Sequence, residues 1–153
     1  MTGETFRGAG TDLAVLDGTV LDALGQLQGK YDAEFVARMI AMFMETALVL
    51  LIRLKEGVAN GDISALHHAS HALKSSSATI EAYSLAGHCE RLELLARKGL
   101  VPDLASSVEV ICIEYRRAEA ALIARLARLE LVRPDAPQST TPSVEPTRIE
   151  KFR

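Results

Sequence analysis

The chain has 153 residues, 48 % apolar and 24 % charged, and its 17 Lys and Arg against 20 Asp and Glu leave a net charge of −3. That length suits one domain around a single core, and the apolar content excludes global disorder. Few aromatics and no Trp favour packed helices over a sandwich or barrel, and the acidic balance excludes the basic footprint of a nucleic-acid binder or a polybasic membrane patch.

In chain order, residues 1–10 are rich in Gly and Thr and are expected to be a flexible N-terminus with no secretory signal. A short helix is expected from about Thr19 to Gln28, closed by Gly29. Asp32 opens a long helical pattern to Asn60, with Val36, Ile40, Phe43, Ala47, Leu50, Leu54 and Val58 recurring every three or four residues. Phe35, Met39, Met42 and Leu51 widen that arc, enough for the helix to touch both a bundle core and the short first helix. Met39, Met42 and Met44 read as core fillers. The most apolar run, Met39 to Ile52, lies between Arg38 and Arg53 and contains Glu45, which is too short to span ~30 Å of hydrocarbon.

Asn60-Gly61 breaks the pattern and Asp62 is a good N-cap. The next helix carries Leu66, Ala69, Ser70, Leu73, Ser77 and Ile80 on one stripe and is expected to run to about Glu81. Leu85, Cys89, Leu92 and Leu95 mark another, ended by Lys98-Gly99. The last starts at Asp103 and runs through Val108, Ile111, Tyr115, Ala118, Leu122 and Leu129 to about Val132. Its Arg116, Arg117, Arg125 and Arg128 alternate with Glu114, Glu119 and Glu130, the pattern of a solvated face. Beyond Arg133, Pro134, Pro137, Pro142 and Pro146 fall among Ser, Thr and Gln, the composition of a disordered tail over 133–153. Residues 11–132 are therefore expected to form an all-α, antiparallel up-down four-helix bundle with a short N-terminal capping helix. Cys89 and Cys112, without a CxxC, read as buried thiols in a reducing cytoplasm.

Three histidines, His67, His68 and His71, share the middle helix. On a helical wheel His71 lies about 160° from the centre of the apolar stripe, with Ser75 and Ala78 within about 40° of it. The helix is thus expected to hold an imidazole out among small residues, with Lys74 one turn on. Neutral histidine nitrogen is a nucleophile near pH 7, and an open approach lets it take a phosphoryl group from an acyl phosphate. The Lys74 ammonium would offset the added charge. There is no glycine-rich phosphate loop and no acidic metal cluster beside it, so the histidine would be a carrier for another protein's catalytic groups.

At these residues the sequence resembles the histidine-containing phosphotransfer (HPt) domains of phosphorelays, whose signature is roughly A-H-x-L-K-G-S-S-x-x-x-G-A, then C-x-x-L-E. Here it reads Ser70-His71-Ala72-Leu73-Lys74-Ser75-Ser76-Ser77-Ala78-Thr79-Ile80-Glu81-Ala82, then Cys89-Glu90-Arg91-Leu92-Glu93. Phe43-Met44-Glu45-Thr46-Ala47 and Asn60-Gly61-Asp62 are similar to the family's F-x-x-x-A and G-D stretches, and the resemblance extends over about residues 15 to 125. It implies that His71 is the phosphoacceptor and Lys74 its phosphate-neighbouring lysine, with Ser75, Ala78, His67 and His68 at the partner-docking face. Ser75 and Glu81 stand where the family has glycine; the first tightens the receiver's approach, and the second falls where the helix turns toward the next.

The implied partners are response-regulator receiver domains and a sensor histidine kinase. Mg²⁺ would come from the receiver, and no cofactor or metal from this chain. A cytoplasmic monomer is expected, free-standing or at the cytoplasmic end of a membrane-anchored hybrid kinase. Two further readings compete with this one. His67 and His71 have metal-binding spacing, but His68 stands where a zincin helix has Glu, and His88 falls on another helix. An HPt-like module could instead dock a receiver or a regulated enzyme without phosphotransfer.

Overall fold

The computed structural model describes residues 30–99 and 103–131, together with Leu16 and Thr19. Four helices make up the described chain: α1 (Lys30–Asn60), α2 (Ile63–Thr79), α3 (Tyr83–Arg97) and α4 (Leu104–Leu131). Each packs on its neighbour in sequence and α1 closes onto α4, while the backbones of α1 and α3, and of α2 and α4, stay apart across the core. The fold is an all-α four-helix bundle. The expected capping helix near 19–28, the N-terminus 1–10 and the tail 133–153 lie outside the described residues.

The periodic residues make the core. Val36, Ile40, Phe43, Ala47, Leu50 and Leu54 of α1 meet Leu66, Ala69 and Leu73 of α2, Leu85, Cys89, Leu92 and Ala96 of α3, and Val108, Ile111, Tyr115, Ala118 and Leu122 of α4. Phe43 and Tyr115 meet across the bundle with ring centroids 6.3 Å apart, within the range of favourable tilted ring pairs. Both cysteines are buried and free. Burial pushes the Cys89 thiol up to about 12, against the pull of the Lys74 charge.

The turns follow from local chemistry. Gly61 takes φ +62°, the left-handed conformation glycine adopts without a Cβ clash. The amides of Gly61 and Asp62 then donate to the carbonyls of Val58 and Gly57 at 3.2 and 2.9 Å, a Schellman closure of α1. Asp62 caps α2 by accepting from the Ala65 amide at 2.9 Å. Gly57 lets α1 pack tightly on α2, because a Cβ there would meet Leu66 Cγ at 3.0 Å. Helix α2 ends two residues before the expected Glu81. Glu81 instead occupies the left-handed position after it, at φ +63°, with the Glu81 and Ala82 amides donating to Ala78 and Ser77 at 3.1 and 2.8 Å. This is the same closure built without glycine, with the Glu81 side chain buried.

Three sequence expectations change. Met42 is 63 % exposed, because it lies on the edge of the wide α1 arc that faces away from the bundle; Met39 and Met44 are half-buried against the core. Arg125 is buried rather than solvated, since it continues the Ala118 and Leu122 stripe of α4. And α1, measured as a whole helix rather than as an apolar run, is long and apolar enough by length and composition to cross a bilayer, although one of its stripes is bundle core.

Candidate functional site

The middle of α2 and the second half of α3 bring four polar side chains together. His71 Nδ1 lies 2.9 Å from Glu93 Oε1, and Lys74 Nζ donates to Glu93 Oε2 at 2.6 Å. His67 Nε2 stands 3.9 Å from the same Oε1. His67, His71 and Lys74 are spaced i, i+4 and i+7, so they line one side of α2, and Glu93 meets them from α3.

Burial grades sharply across this cluster. The Glu93 side chain is 9 % exposed, while the His71 side chain is 59 % exposed. A carboxylate so enclosed needs paired donors, and it has both oxygens engaged. The hydrogen bond from Lys74 is the main reason Glu93 is held below the usual carboxylate range; burial opposes this and the His71 hydrogen bond adds to it. A carboxylate accepts only, so His71 Nδ1 is the donor and the lone pair is left on Nε2. The site is an open imidazole whose inner nitrogen is anchored and whose outer nitrogen is free to act as a nucleophile.

Ser75, one turn beyond, folds its hydroxyl back to donate to the His71 carbonyl at 3.1 Å. Ser75 and Ala78 are exposed, so the surface beside His71 is low and offers no long side chain. His68 is placed elsewhere. Its Nδ1 donates to the Ser64 carbonyl at 2.7 Å, and its ring lines the groove between α1 and α2 with Leu50, Arg53 and Ala72. His67 stands edge-on to it, with ring centroids 5.4 Å apart.

Two expectations are refined. Lys74 is not a free ammonium held beside the imidazole; it is half-buried and bound to Glu93. His71 does not point straight away from the bundle but leans on α3. Glu93 is the residue that sequence reasoning missed as a participant. Its signal was present, since it lies one turn from buried Cys89 and beside buried Leu92, and an acid on a core-facing arc calls for a cation. Among the described residues no group of three or more His, Cys, Asp or Glu could hold a metal ion. Lys74 already occupies the second oxygen of the only acid shared by His67 and His71, and its charge would repel a cation there.

Known proteins share the family and the fold. A family model described as the Hpt domain matches residues 38–130. The crystal structure of histidine-containing phosphotransfer protein B (HptB) from Pseudomonas aeruginosa PAO1 is similar, with a TM-score of 0.63 and 25 % identity, over 75 % of this chain and 96 % of that one. No curated protein matches the chain in sequence.

Proposed function

The chain belongs to the Hpt domain family and serves histidine phosphotransfer in a phosphorelay, and from that premise we propose that Nε2 of His71 is the atom that carries the phosphoryl group. The observation that carries this reading is the Nδ1 to Glu93 contact of 2.9 Å on an imidazole that is otherwise open. The Nε2 lone pair attacks the phosphorus of a receiver domain's phospho-aspartate. The N–P bond forms as the P–O bond to the aspartate breaks, and the electron pair of that bond leaves with the carboxylate. The reverse step on a second receiver returns the phosphoryl group to an aspartate.

Each residue of the cluster has a task in that exchange. While Nε2 is bonded to phosphorus, Nδ1 keeps its proton and the ring carries positive charge, which the buried Glu93 carboxylate stabilises. Lys74 fixes Glu93 in place and neutralises it in the unphosphorylated state. Ser75 and Ala78 form the low floor over which a receiver's active site approaches, with His67 at the edge toward α3 and His68 on the side toward α1. The metal that receiver chemistry requires is assigned to the receiver, as is the upstream link to a sensor histidine kinase. A cytoplasmic site of action suits such partners.

Incubation with a phosphorylated receiver tests this. The full chain should take up label that is acid-labile and base-stable, and His71→Gln should fold with the same helix content and take none. A module that only docks its partner would bind the receiver and accept no label. Label retained by His71→Gln would move the acceptor to His67 or His68.

A further inference from the structure

Five of the large apolar side chains left exposed in the described residues belong to one helix: Phe35, Met42, Leu48, Val49 and Ile52 of α1, each half exposed or more. They lie on the side of α1 opposite its core stripe of Val36, Ile40, Phe43, Ala47 and Leu54. Only 33 % of the most apolar stretch of this helix is buried in the bundle. A largely apolar helix face is normally covered, and these five side chains leave on the order of 500 Å² of apolar surface, at the upper end for a monomer's largest patch.

The spacing of this face sets its partner. Phe35, Arg38, Met42, Glu45, Val49 and Ile52 alternate at intervals of three and four, the seam of a two-helix pairing. Arg38 and Glu45 stand in the seam, both exposed. Parallel pairing of two such helices would set each charge against its own kind. Antiparallel pairing with a second copy sets Phe35 opposite Ile52, Met42 opposite Glu45, and Arg38 opposite Val49, so that each Arg38 lies one turn from the other copy's Glu45. Arg53 then falls opposite Glu34. Opposite charges therefore approach each other within a turn and Phe35 packs on Ile52, the self-complementarity that a two-fold axis requires.

We propose that the outer face of α1 is a self-association surface, pairing two copies of this chain antiparallel through the Phe35–Ile52 seam. Two such faces bury on the order of 1,000 Å², the lower end for a specific interface, so the dimer is a weak one. His71, Lys74 and Glu93 belong to α2 and α3, which take no part in the pairing. The expected monomer is thereby replaced by a monomer–dimer equilibrium that does not depend on the phosphotransfer reading.

Sedimentation of the full chain at roughly 100 µM, above the micromolar Kd expected of an interface this small, tests it. The expected species is a dimer of the 16.5 kDa chain. Arg38→Glu should weaken it at least tenfold with unchanged helix content, and Arg38→Glu combined with Glu45→Arg should restore it. All three forms should accept phosphoryl label equally. A wild-type chain that stays monomeric at that concentration would overturn the proposal, as would dimerisation unaffected by Arg38→Glu or a double variant that remains monomeric. A monomer that floats with neutral phosphatidylcholine vesicles would assign the face to lipid and equally overturn it.

Discussion

Glu93 and Lys74 act as one unit behind His71, and each has its own signature on substitution. Glu93→Gln keeps the shape of the side chain but removes the charge that holds Nδ1–H and stabilises the phosphorylated ring. Hydrogen bonds to charged groups are worth about 1.5–3 kcal/mol, so transfer should slow about tenfold to a hundredfold. Single-turnover transfer from a phosphorylated receiver measures this, and an unchanged rate would remove Glu93 from the mechanism. Lys74→Ala leaves an enclosed carboxylate with one donor fewer; it should cost about 1–3 kcal/mol of stability and slow transfer less than Glu93→Gln does. Chemical denaturation read beside the transfer rate separates the two effects. Ser75 is different, since its hydroxyl is satisfied by its own helix. Ser75→Gly should preserve or speed transfer at a helix cost of about half a kcal/mol, whereas Ser75→Arg should block the receiver without moving the melting temperature by more than a degree or two.

At the scale of elements, the site depends on how α2 is held against both of its neighbours. Gly57 permits the close contact with Leu66, and Leu66 is wholly buried. Gly57→Ala would gain up to about 1 kcal/mol of helix propensity but push into a side chain with nowhere to go, at about 1–3 kcal/mol. A net loss of about 1 kcal/mol in denaturation is expected, and a stabilised variant would show that α2 can shift away from α1. The helix boundaries were legible where chemistry is local: Asn60-Gly61 and Lys98-Gly99 both end helices with glycine at positive φ, and Asp62 caps as its residue type demands. The stripes of Leu66 to Ile80 and Val108 to Leu122 were legible too, because periodicity alone sorts a bundle helix into faces. What the sequence could not show was which edge of a wide arc the bundle uses, so Met42 was misplaced. Nor could it show which residue of α3 comes opposite His71, since the pairing of Glu93 with residues 19 and 22 positions earlier is a tertiary fact. The resemblance to the family placed His71 and Lys74 in order; only the packing of α3 on α2 gave Lys74 its partner.

The whole molecule inherits a pH dependence from the same carboxylate. Glu93 is held below its ordinary range in the folded chain, so its contribution to stability is fully present above the unfolded value near ~4.3 and is lost as the pH falls below that through the lower folded value. Stability measured by denaturation should fall in that acid window, and Glu93→Gln should flatten the fall. A parent and variant with identical acid profiles would mean that Glu93 is not held by Lys74 and His71 in solution. Taken together, bundle, anchor and open imidazole assign the two His71 nitrogens different tasks, Nδ1 for holding and Nε2 for chemistry. Long-range ¹H–¹⁵N correlation of the His71 ring, before and after phosphorylation by a receiver domain, reads both atoms at once. The expected result is a proton on Nδ1 throughout and phosphorus coupled to Nε2 after transfer. Phosphorus on Nδ1, or on the ring of His67 or His68, would contradict it.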